Sequence, residues 1–208
     1  MIANSLRLGQ LRQAVWLEVF TIVYMVFEAA AAIWIGWIAA STLLEAFGLD
    51  SLIELASGFI LLWRLRSEQS NVDQERVELV EQRAARLVGL SLIVLAIYIV
   101  LQALYSFVTF AKPEPTLWGI ALALASLVIM PVLAKFKLQV AEKINSRALH
   151  ADAFESIACA YLSFTLLLGL GANFLFGWWW ADSLAALIMV YFILREAKEA
   201  LSGEQDEN

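Results

Sequence analysis

Two acidic residues lie inside an apolar stretch of the chain, where carboxylates are rare unless they have a function. Asp50 and Glu54 occur in the stretch 41–65, and an acid at mid-bilayer costs roughly 2.5–3.5 kcal/mol on the insertion scale. Their i, i+4 spacing places both on one face of a helix. Two carboxylates that close repel each other unless a proton or a cation lies between them. The pair therefore predicts a cation site at which an arriving metal ion displaces protons.

A second pair with the same spacing, Glu155 and Cys159, occurs in a later apolar stretch. A carboxylate and a thiolate can both bind Zn²⁺, which accepts four ligands of mixed type. Together with Asp50 and Glu54 they could complete a tetrahedral site, and a thiol favours Zn²⁺ or Cd²⁺ over Mg²⁺ or Ca²⁺. The alternatives are that Cys159 is a small packing residue and that Glu155 has a structural role.

Four further acids occur in or beside apolar stretches. Glu28 lies deep in the first stretch and Asp152 near the start of the fifth, and both are further candidate metal ligands. Asp152 could instead be stabilised by the dipole at the N-terminus of its helix. Glu18 is expected to extend its carboxylate to the interface, and Asp182 to be an N-terminal residue of the last helix. No Lys or Arg is expected in the middle of a span to neutralise Asp50 and Glu54.

The elements that position these residues are long and apolar. Of the 208 residues, 62% are hydrophobic, compared with about 45–50% in a soluble domain. Backbone polar groups in lipid must be hydrogen-bonded within their own segment, so the stretches are predicted to be helices. We expect an all-α membrane protein with one transport domain over residues 1–201 and a short disordered tail at 202–208. The six predicted spans are Val15–Trp37, Ser41–Leu65, Ala84–Phe110, Leu117–Ala134, Leu149–Phe176 and Trp179–Leu194.

The basic residues predict the orientation in the membrane. With six spans, all of the 14 Lys and Arg residues except Lys112 fall on one side, and the positive-inside rule makes that side cytoplasmic. Both termini are therefore expected in the cytoplasm, and the protein in the cytoplasmic (inner) membrane. Trp118 and Trp178–Trp180 would form an aromatic belt at the outer interface. A tight outer turn is expected between the first two spans, near Gly36 and Ser41.

Several other classes of function are not supported by the sequence. The single Cys excludes an intramolecular disulfide. The net charge of -6 and the lack of a basic patch argue against nucleic-acid binding. Neither a Gly-rich phosphate loop nor a Ser–His–Asp constellation is visible, so an enzyme is not expected. No cofactor is expected beyond the transported metal ion, with protons and the lipid bilayer as the other partners.

Three segments resemble the cation diffusion facilitators, in particular their short bacterial members. They are FGLDSLIELASGFILLWRLR (47–66), SRALHADAFESIACAYLS (146–163) and FGWWWADSLAALIMVYFILREAKEAL (176–201). The resemblance implies six helices and transport by alternating access, usually as proton antiport out of the cytoplasm. It also implies a zinc-type site built from i, i+4 pairs on the second and fifth helices, which match Asp50 with Glu54 and Glu155 with Cys159.

The chain departs from the family pattern in three respects. The fifth-helix pair is Glu with Cys rather than His or Asp with Asp, and the inner loops lack the His-rich segments of many zinc transporters. The usual cytoplasmic C-terminal domain is not expected, so a homodimer would form only through membrane helices. The favoured function is a Zn²⁺- or Cd²⁺-type metal exporter. The alternatives are an accessory or scaffold protein on a degenerate transporter fold and a cation channel.

Overall fold

A computed structural model describes residues 2–69, 74–110, 112–114 and 116–202. Within these ranges the chain is all-helical, as predicted. Of the tail predicted at 202–208, only Ser202 is described, as the last residue of a helix. The six helices are α1 (Ile2–Ala39), α2 (Thr42–Gln69), α3 (Gln74–Thr109), α4 (Leu117–Ile144), α5 (Arg147–Phe176) and α6 (Trp179–Ser202).

Several helices are longer than the apolar stretches from which they were predicted. α1 begins at Ile2 rather than Val15, α3 begins at Gln74 rather than Ala84, and α4 continues to Ile144 rather than ending at Ala134. Hydropathy reports only the part of a helix that suits hydrocarbon, whereas the backbone continues as helix into a polar environment. Among the described residues, α1 to α5 are long and apolar enough to cross a membrane. α6 is less apolar because charged residues follow Ile193.

The turn between α1 and α2 is tight, as the sequence predicts. Ala40 adopts a left-handed conformation with φ of 50°, and the backbone N–H of Ser41 donates to the carbonyl of Gly36 at 2.9 Å. A Cβ on Gly36 would lie 2.8 Å from the backbone nitrogen of Glu45. The missing side chain therefore allows α1 and α2 to approach closely where they enter the turn.

We expect Gly36→Ala to destabilise the protein by about 1–3 kcal/mol, the usual cost of overpacking, because its methyl group would meet the backbone of α2. Gly171→Ala is the matched control, since a Cβ there meets no atom within 4 Å. Thermal unfolding of the two purified variants in the same detergent checks this expectation. Equal melting temperatures for the two variants would contradict the close approach.

The turns between α3 and α4 and between α5 and α6 lie at the same end of the helical bundle as the turn between α1 and α2. The backbone N–H of Glu114, between α3 and α4, donates to Ala39 at 2.8 Å. The side-chain amide of Asn173, near the end of α5, donates to the carbonyl of Pro113 at 3.1 Å. We call this end the tryptophan end, since it carries Trp37, Trp118, Trp178 and Trp180. The opposite end, at which α1 begins and α2 ends, is the basic end.

Asp182 links α6 to α2 at the tryptophan end. Its carboxylate accepts hydrogen bonds from the hydroxyl of Ser41 and from the backbone N–H of Leu43 at 3.3 Å. Asp182 lies in the first turn of α6, as predicted, but its carboxylate also caps the N-terminus of α2. The side chain of an N-terminal acid on one helix thus satisfies the free N–H groups of another.

The helices pack in pairs around two buried apolar clusters. α1 packs mainly along α2, α4 along α5, and α3 along α6, while α6 also contacts α2 and α5. The larger cluster includes Phe47, Ile99 and Leu166. The smaller cluster lies at the basic end, and we call it the basic-end cluster. It consists of Leu11, Ala14, Leu61, Leu65, Val140, Ala141, Ile144 and Leu149.

Candidate metal site

Three carboxylates from two helices meet inside the bundle. Asp50 and Glu54 of α2 and Glu196 of α6 each offer one oxygen atom, and these atoms all lie within 4.8 Å of one another. The i, i+4 spacing of Asp50 and Glu54 explains why both point to the same side of α2. α6 contacts α2, and it adds the third carboxylate from across the interface. Among the described residues, this is the one group of three or more acidic, His or Cys side chains with this geometry.

The two α2 carboxylates of the site are buried, Glu196 is half-buried, and two oxygen atoms of the α2 pair are unsatisfied. Asp50 is 1% exposed and Glu54 is 7% exposed. Within the described part of the chain, Oδ1 of Asp50 and Oε1 of Glu54 accept no hydrogen bond. A buried carboxylate oxygen without a partner is costly, and three carboxylates this close repel one another. Both features favour a bound cation or protons between them.

The spacing of the oxygen atoms suits a divalent ion. Hard cations hold oxygen ligands at about 2.0–2.6 Å, so opposite ligands lie about 4–5 Å apart. The three oxygen atoms of Asp50, Glu54 and Glu196 fit within that span. The remaining coordination positions would be taken by water or by the second oxygen atoms of the carboxylates.

Glu196 was not among the site residues predicted from the sequence. The sixth span was predicted to end at Leu194, so Glu196 was placed outside the membrane core. One signal was available: Glu196 follows Asp182 by 14 residues, which is nearly four helical turns, so both lie on one face of α6. Because Asp182 is buried at 1% exposure, the same face of α6 turns Glu196 toward the bundle.

Glu155, a predicted ligand, lies outside this group of three. Its carboxylate accepts hydrogen bonds from the hydroxyl of Ser57, with distances of 3.4 Å to Oε1 and 3.2 Å to Oε2. Ser57 is one turn beyond Glu54 on α2, toward the basic end. Glu155 therefore faces α2 as predicted, but one turn closer to the basic end, and its role as a ligand stays a prediction.

Cys159, the other predicted ligand of α5, is a free cysteine with 1% exposure. It belongs to the larger apolar cluster, and its carbonyl accepts a hydrogen bond from the hydroxyl of Ser163 at 2.8 Å. Its thiol is not part of the group formed by Asp50, Glu54 and Glu196. This environment suits the packing alternative, and the assignment of Cys159 as a ligand stays a prediction.

Glu28 of α1 lies beside the site and is hydrogen-bonded there. The hydroxyl of Tyr24 donates to its Oε1 at 3.1 Å, and the hydroxyl of Ser51 donates to its Oε2 at 3.4 Å. Because Ser51 follows Asp50 directly, Glu28 is held next to the start of the site. Both of its oxygen atoms have protein partners, so an ion would compete with these hydrogen bonds.

Asp152 has a basic partner, Lys137, which lies beyond the predicted end of the fourth span at Ala134. Lys137 of α4 is 0% exposed and forms ion pairs with Asp152 and with Glu18 of α1. α4 continues beyond Ala134 and carries Lys137 into the bundle. Glu18 is fully buried, so the expectation that its carboxylate reaches the interface was wrong. Its buried partner holds it inside.

The chain is similar in sequence to a family of membrane proteins and to several individual relatives. Residues 17–202 match the family model described as the cation efflux transmembrane domain. Transmembrane protein 163 of Xenopus laevis is 25% identical over 157 residues, which are 76% of this chain and 54% of that protein. An uncharacterized transporter of Synechocystis is 26% identical over 178 residues, which are 82% of this chain and 57% of the relative.

The name of a third relative specifies the metal that it exports. The manganese efflux system protein MneP of Bacillus subtilis is 24% identical over 190 residues, which are 85% of this chain and 62% of MneP. The chain thus spans between about half and two thirds of the length of these three relatives. The match to the family model covers all three carboxylates of the candidate site.

Proposed function

Because this chain belongs to the cation efflux family, we propose that it exports divalent metal ions through a site formed by Asp50, Glu54 and Glu196. The observation that carries this proposal is the meeting of three carboxylate oxygen atoms within 4.8 Å of one another. Asp50 and Glu54 each also have a buried oxygen atom that accepts no hydrogen bond within the described part of the chain. Such a group is costly in a membrane protein unless it binds a cation.

The donor set favours a hard metal ion such as Mn²⁺. Carboxylate oxygen atoms and water suit Mg²⁺, Ca²⁺ and Mn²⁺, whereas thiolates select softer ions. The sequence-based preference for Zn²⁺ or Cd²⁺ depends on Cys159, whose thiol is not among the three grouped ligands. Manganese efflux by the relative MneP supports the same choice. We therefore propose Mn²⁺ as the preferred substrate.

Charge balance supports a proton-coupled cycle. Three clustered carboxylates, two of them buried, must take up other positive charge when they release a metal ion, and protons are the available source. The basic residues favour the basic end as the cytoplasmic end. Export would then load the metal ion from the basic end and release it at the tryptophan end, with protons moving in the opposite direction by alternating access.

Transport by purified protein in liposomes tests the function. The liposomes contain a metal-sensitive dye, and Mn²⁺, Cd²⁺, Zn²⁺ or Mg²⁺ is added outside, with and without an imposed pH gradient. We expect Mn²⁺ uptake to exceed that of protein-free liposomes and to respond to the pH gradient. No metal flux under any of these conditions would favour the accessory or scaffold alternative.

The proposed orientation predicts a one-sided labelling pattern. In a Cys159→Ser background, Ser67→Cys near the end of α2 should react with a membrane-impermeant maleimide only from the cytoplasmic side. Lys112→Cys, in the exposed loop between α3 and α4, is the matched control and should react only from outside. Labelling is measured in intact cells and in inverted vesicles. The reverse pattern would overturn the orientation and the direction of transport with it.

Cys159→Ser is expected to change the ratio of Cd²⁺ to Mn²⁺ transport by less than about twofold, because the thiol lies outside the carboxylate group. A hydroxyl is a harder and poorer ligand than a thiolate, so a coordinating Cys159 would give a different result. If Cd²⁺ transport by this variant falls about tenfold relative to Mn²⁺ transport, Cys159 coordinates the ion and the zinc-type site predicted from the sequence is correct. The measurement is initial uptake of each metal in the liposome assay.

A further inference from the structure

A buried charge triad joins three helices on the basic-end side of the metal site. Nζ of Lys137 in α4 lies 3.0 Å from Oε2 of Glu18 in α1, and it also donates to Oδ2 of Asp152 in α5. The side chains of Lys137 and Glu18 are 0% exposed, and that of Asp152 is 12% exposed. With all three groups charged, two carboxylates face one ammonium, and the triad has a net charge of -1.

Glu18 has an oxygen atom that Lys137 does not satisfy. In the described part of the chain, Oε1 of Glu18 is buried and accepts no hydrogen bond. It lies against α2 at Gly58, where an added Cβ would lie 2.8 Å from this atom. Gly58 thus leaves room for the carboxylate. The unpaired oxygen atom and the excess negative charge both favour additional positive charge here.

The triad lies between the metal site and the basic end of the bundle. Ser57, which hydrogen-bonds Glu155, directly precedes Gly58 on α2, and Asp152 is one turn before Glu155 on α5. Carboxylates therefore continue along the bundle from Glu54 through Glu155 to the triad. The basic-end cluster lies beyond it, where α1, α2, α4 and α5 meet. An ion that moves between the basic end and Glu54 would pass these oxygen atoms.

We propose that Glu18 and Asp152 form a second binding position for divalent metal ions, with the Lys137 ammonium as its resting occupant. This inference rests on the proposed function for its place on a transport route. The ammonium fills the position when no ion is present and withdraws when a metal ion arrives, since the ion supplies two charges to the two carboxylates. After the ion moves on to Asp50 and Glu54, the ammonium returns and charge balance is restored.

A lysine suits this exchange better than an arginine would. The ammonium is a compact charge on a flexible stem, whereas a guanidinium forms a rigid, two-pronged pair with a carboxylate. A charge on a flexible stem can change position by rotation about side-chain bonds, which a rigid two-pronged pair does not allow. Lys135 is on the same helix but exposed, so it offers a control of identical chemistry outside the bundle.

Counting bound Mn²⁺ tests the position without relying on transport. Lys137→Gln and Lys135→Gln are each made in an Asp50→Asn, Glu54→Gln background, and free Mn²⁺ is measured by electron paramagnetic resonance in purified protein. We expect one additional Mn²⁺ per chain in the Lys137 variant and none in the Lys135 variant. The additional ion should be lost when Glu18→Gln is added.

Two outcomes of the binding measurement would overturn the proposal. One is equal Mn²⁺ binding by the Lys137 and Lys135 variants, each shown to be monodisperse by size-exclusion chromatography. The other is an additional ion that persists after Glu18→Gln. Because the background lacks two of the proposed ligands of the main site, these outcomes do not depend on whether that site is correct.

A second measurement uses the chain with Lys137 intact, in case the Lys137 variant does not fold. Glu18→Gln should raise the Mn²⁺ concentration for half-maximal transport from the basic end by about tenfold, equivalent to about 1.4 kcal/mol. The maximal rate should remain within about twofold, because the main site is untouched. An unchanged half-maximal concentration would show that the position at Glu18 and Asp152 does not bind the transported ion, even if Asp50→Asn abolishes transport.

Discussion

Glu196→Gln is expected to reduce Mn²⁺ transport roughly 100- to 4,000-fold, and Asp50→Asn and Glu54→Gln are expected to have the same effect. Loss of one partner from a buried charged group costs about 3–5 kcal/mol, and each 1.4 kcal/mol is a factor of ten. Each substitution keeps the size of the side chain but removes one charge from a site in which three oxygen atoms converge. Initial uptake into liposomes, normalised to the amount of inserted protein, measures the effect.

Glu114→Gln is the matched control, because Glu114 is exposed at the tryptophan end. The Glu114→Gln variant should transport Mn²⁺ at the normal rate. The result for Glu196→Gln distinguishes a site completed by α6 from a site completed by Glu155 and Cys159 of α5. If Asp50→Asn abolishes transport while Glu196→Gln transports at the normal rate, the third ligand is not on α6. Glu155 and Cys159, the ligands predicted from sequence, would then be the next residues to test.

Lys137→Gln is expected to destabilise the metal-free protein by about 3–5 kcal/mol, since it leaves two buried carboxylates without their ammonium. Lys135→Gln should change stability by less than about 0.5 kcal/mol, as is usual for an exposed side chain. Denaturant unfolding of both variants in detergent, without divalent metal, measures the difference. Similar stabilities would show that the carboxylates do not depend on Lys137.

A double-mutant cycle with Glu18→Gln isolates the ion pair. The double variant Glu18→Gln, Lys137→Gln has one charged carboxylate fewer than Lys137→Gln, so part of the lost stability should return. Residues in direct contact typically show interaction energies of about 0.5–3 kcal/mol. Purely additive effects would mean that Glu18 and Lys137 contribute independently, despite the 3.0 Å distance between their charged atoms.

The sequence predicts those features of the site that lie within a single helix. The pairing of Asp50 with Glu54 follows from helical periodicity and the low polarity of α2, and both residues meet in the structure. The all-helical architecture follows from the same apolar stretches, because lipid requires internally hydrogen-bonded segments. The tight turn near Gly36 also follows from local chemistry.

Features that depend on contacts between helices could not be predicted in the same way. Glu196 becomes a site residue because α6 contacts α2, and spacing along one helix contains no information about that contact. Lys137 lies beyond the apolar part of α4, so hydropathy placed it outside the span. Its burial depends on Glu18 and Asp152, which come from two other helices. Hydropathy counts each charged residue as polar by itself, so it cannot show that Lys137, Glu18 and Asp152 neutralise one another inside the bundle.

The link between Asp182 and Ser41 has a consequence for the biogenesis of the protein. The two residues are 141 positions apart, and contacts between distant parts of a chain form late. α2 is synthesised long before α6, so the hydroxyl of Ser41 and the backbone N–H of Leu43 have no Asp182 carboxylate to bind until α6 has been synthesised. Among the described residues, α1 to α5 are long and apolar enough to cross a membrane and α6 is not among them, so contacts with α2 would support the insertion of α6. The contact of Asp182 with Ser41 and Leu43 thus makes the docking of α6 onto α2 a late step of assembly.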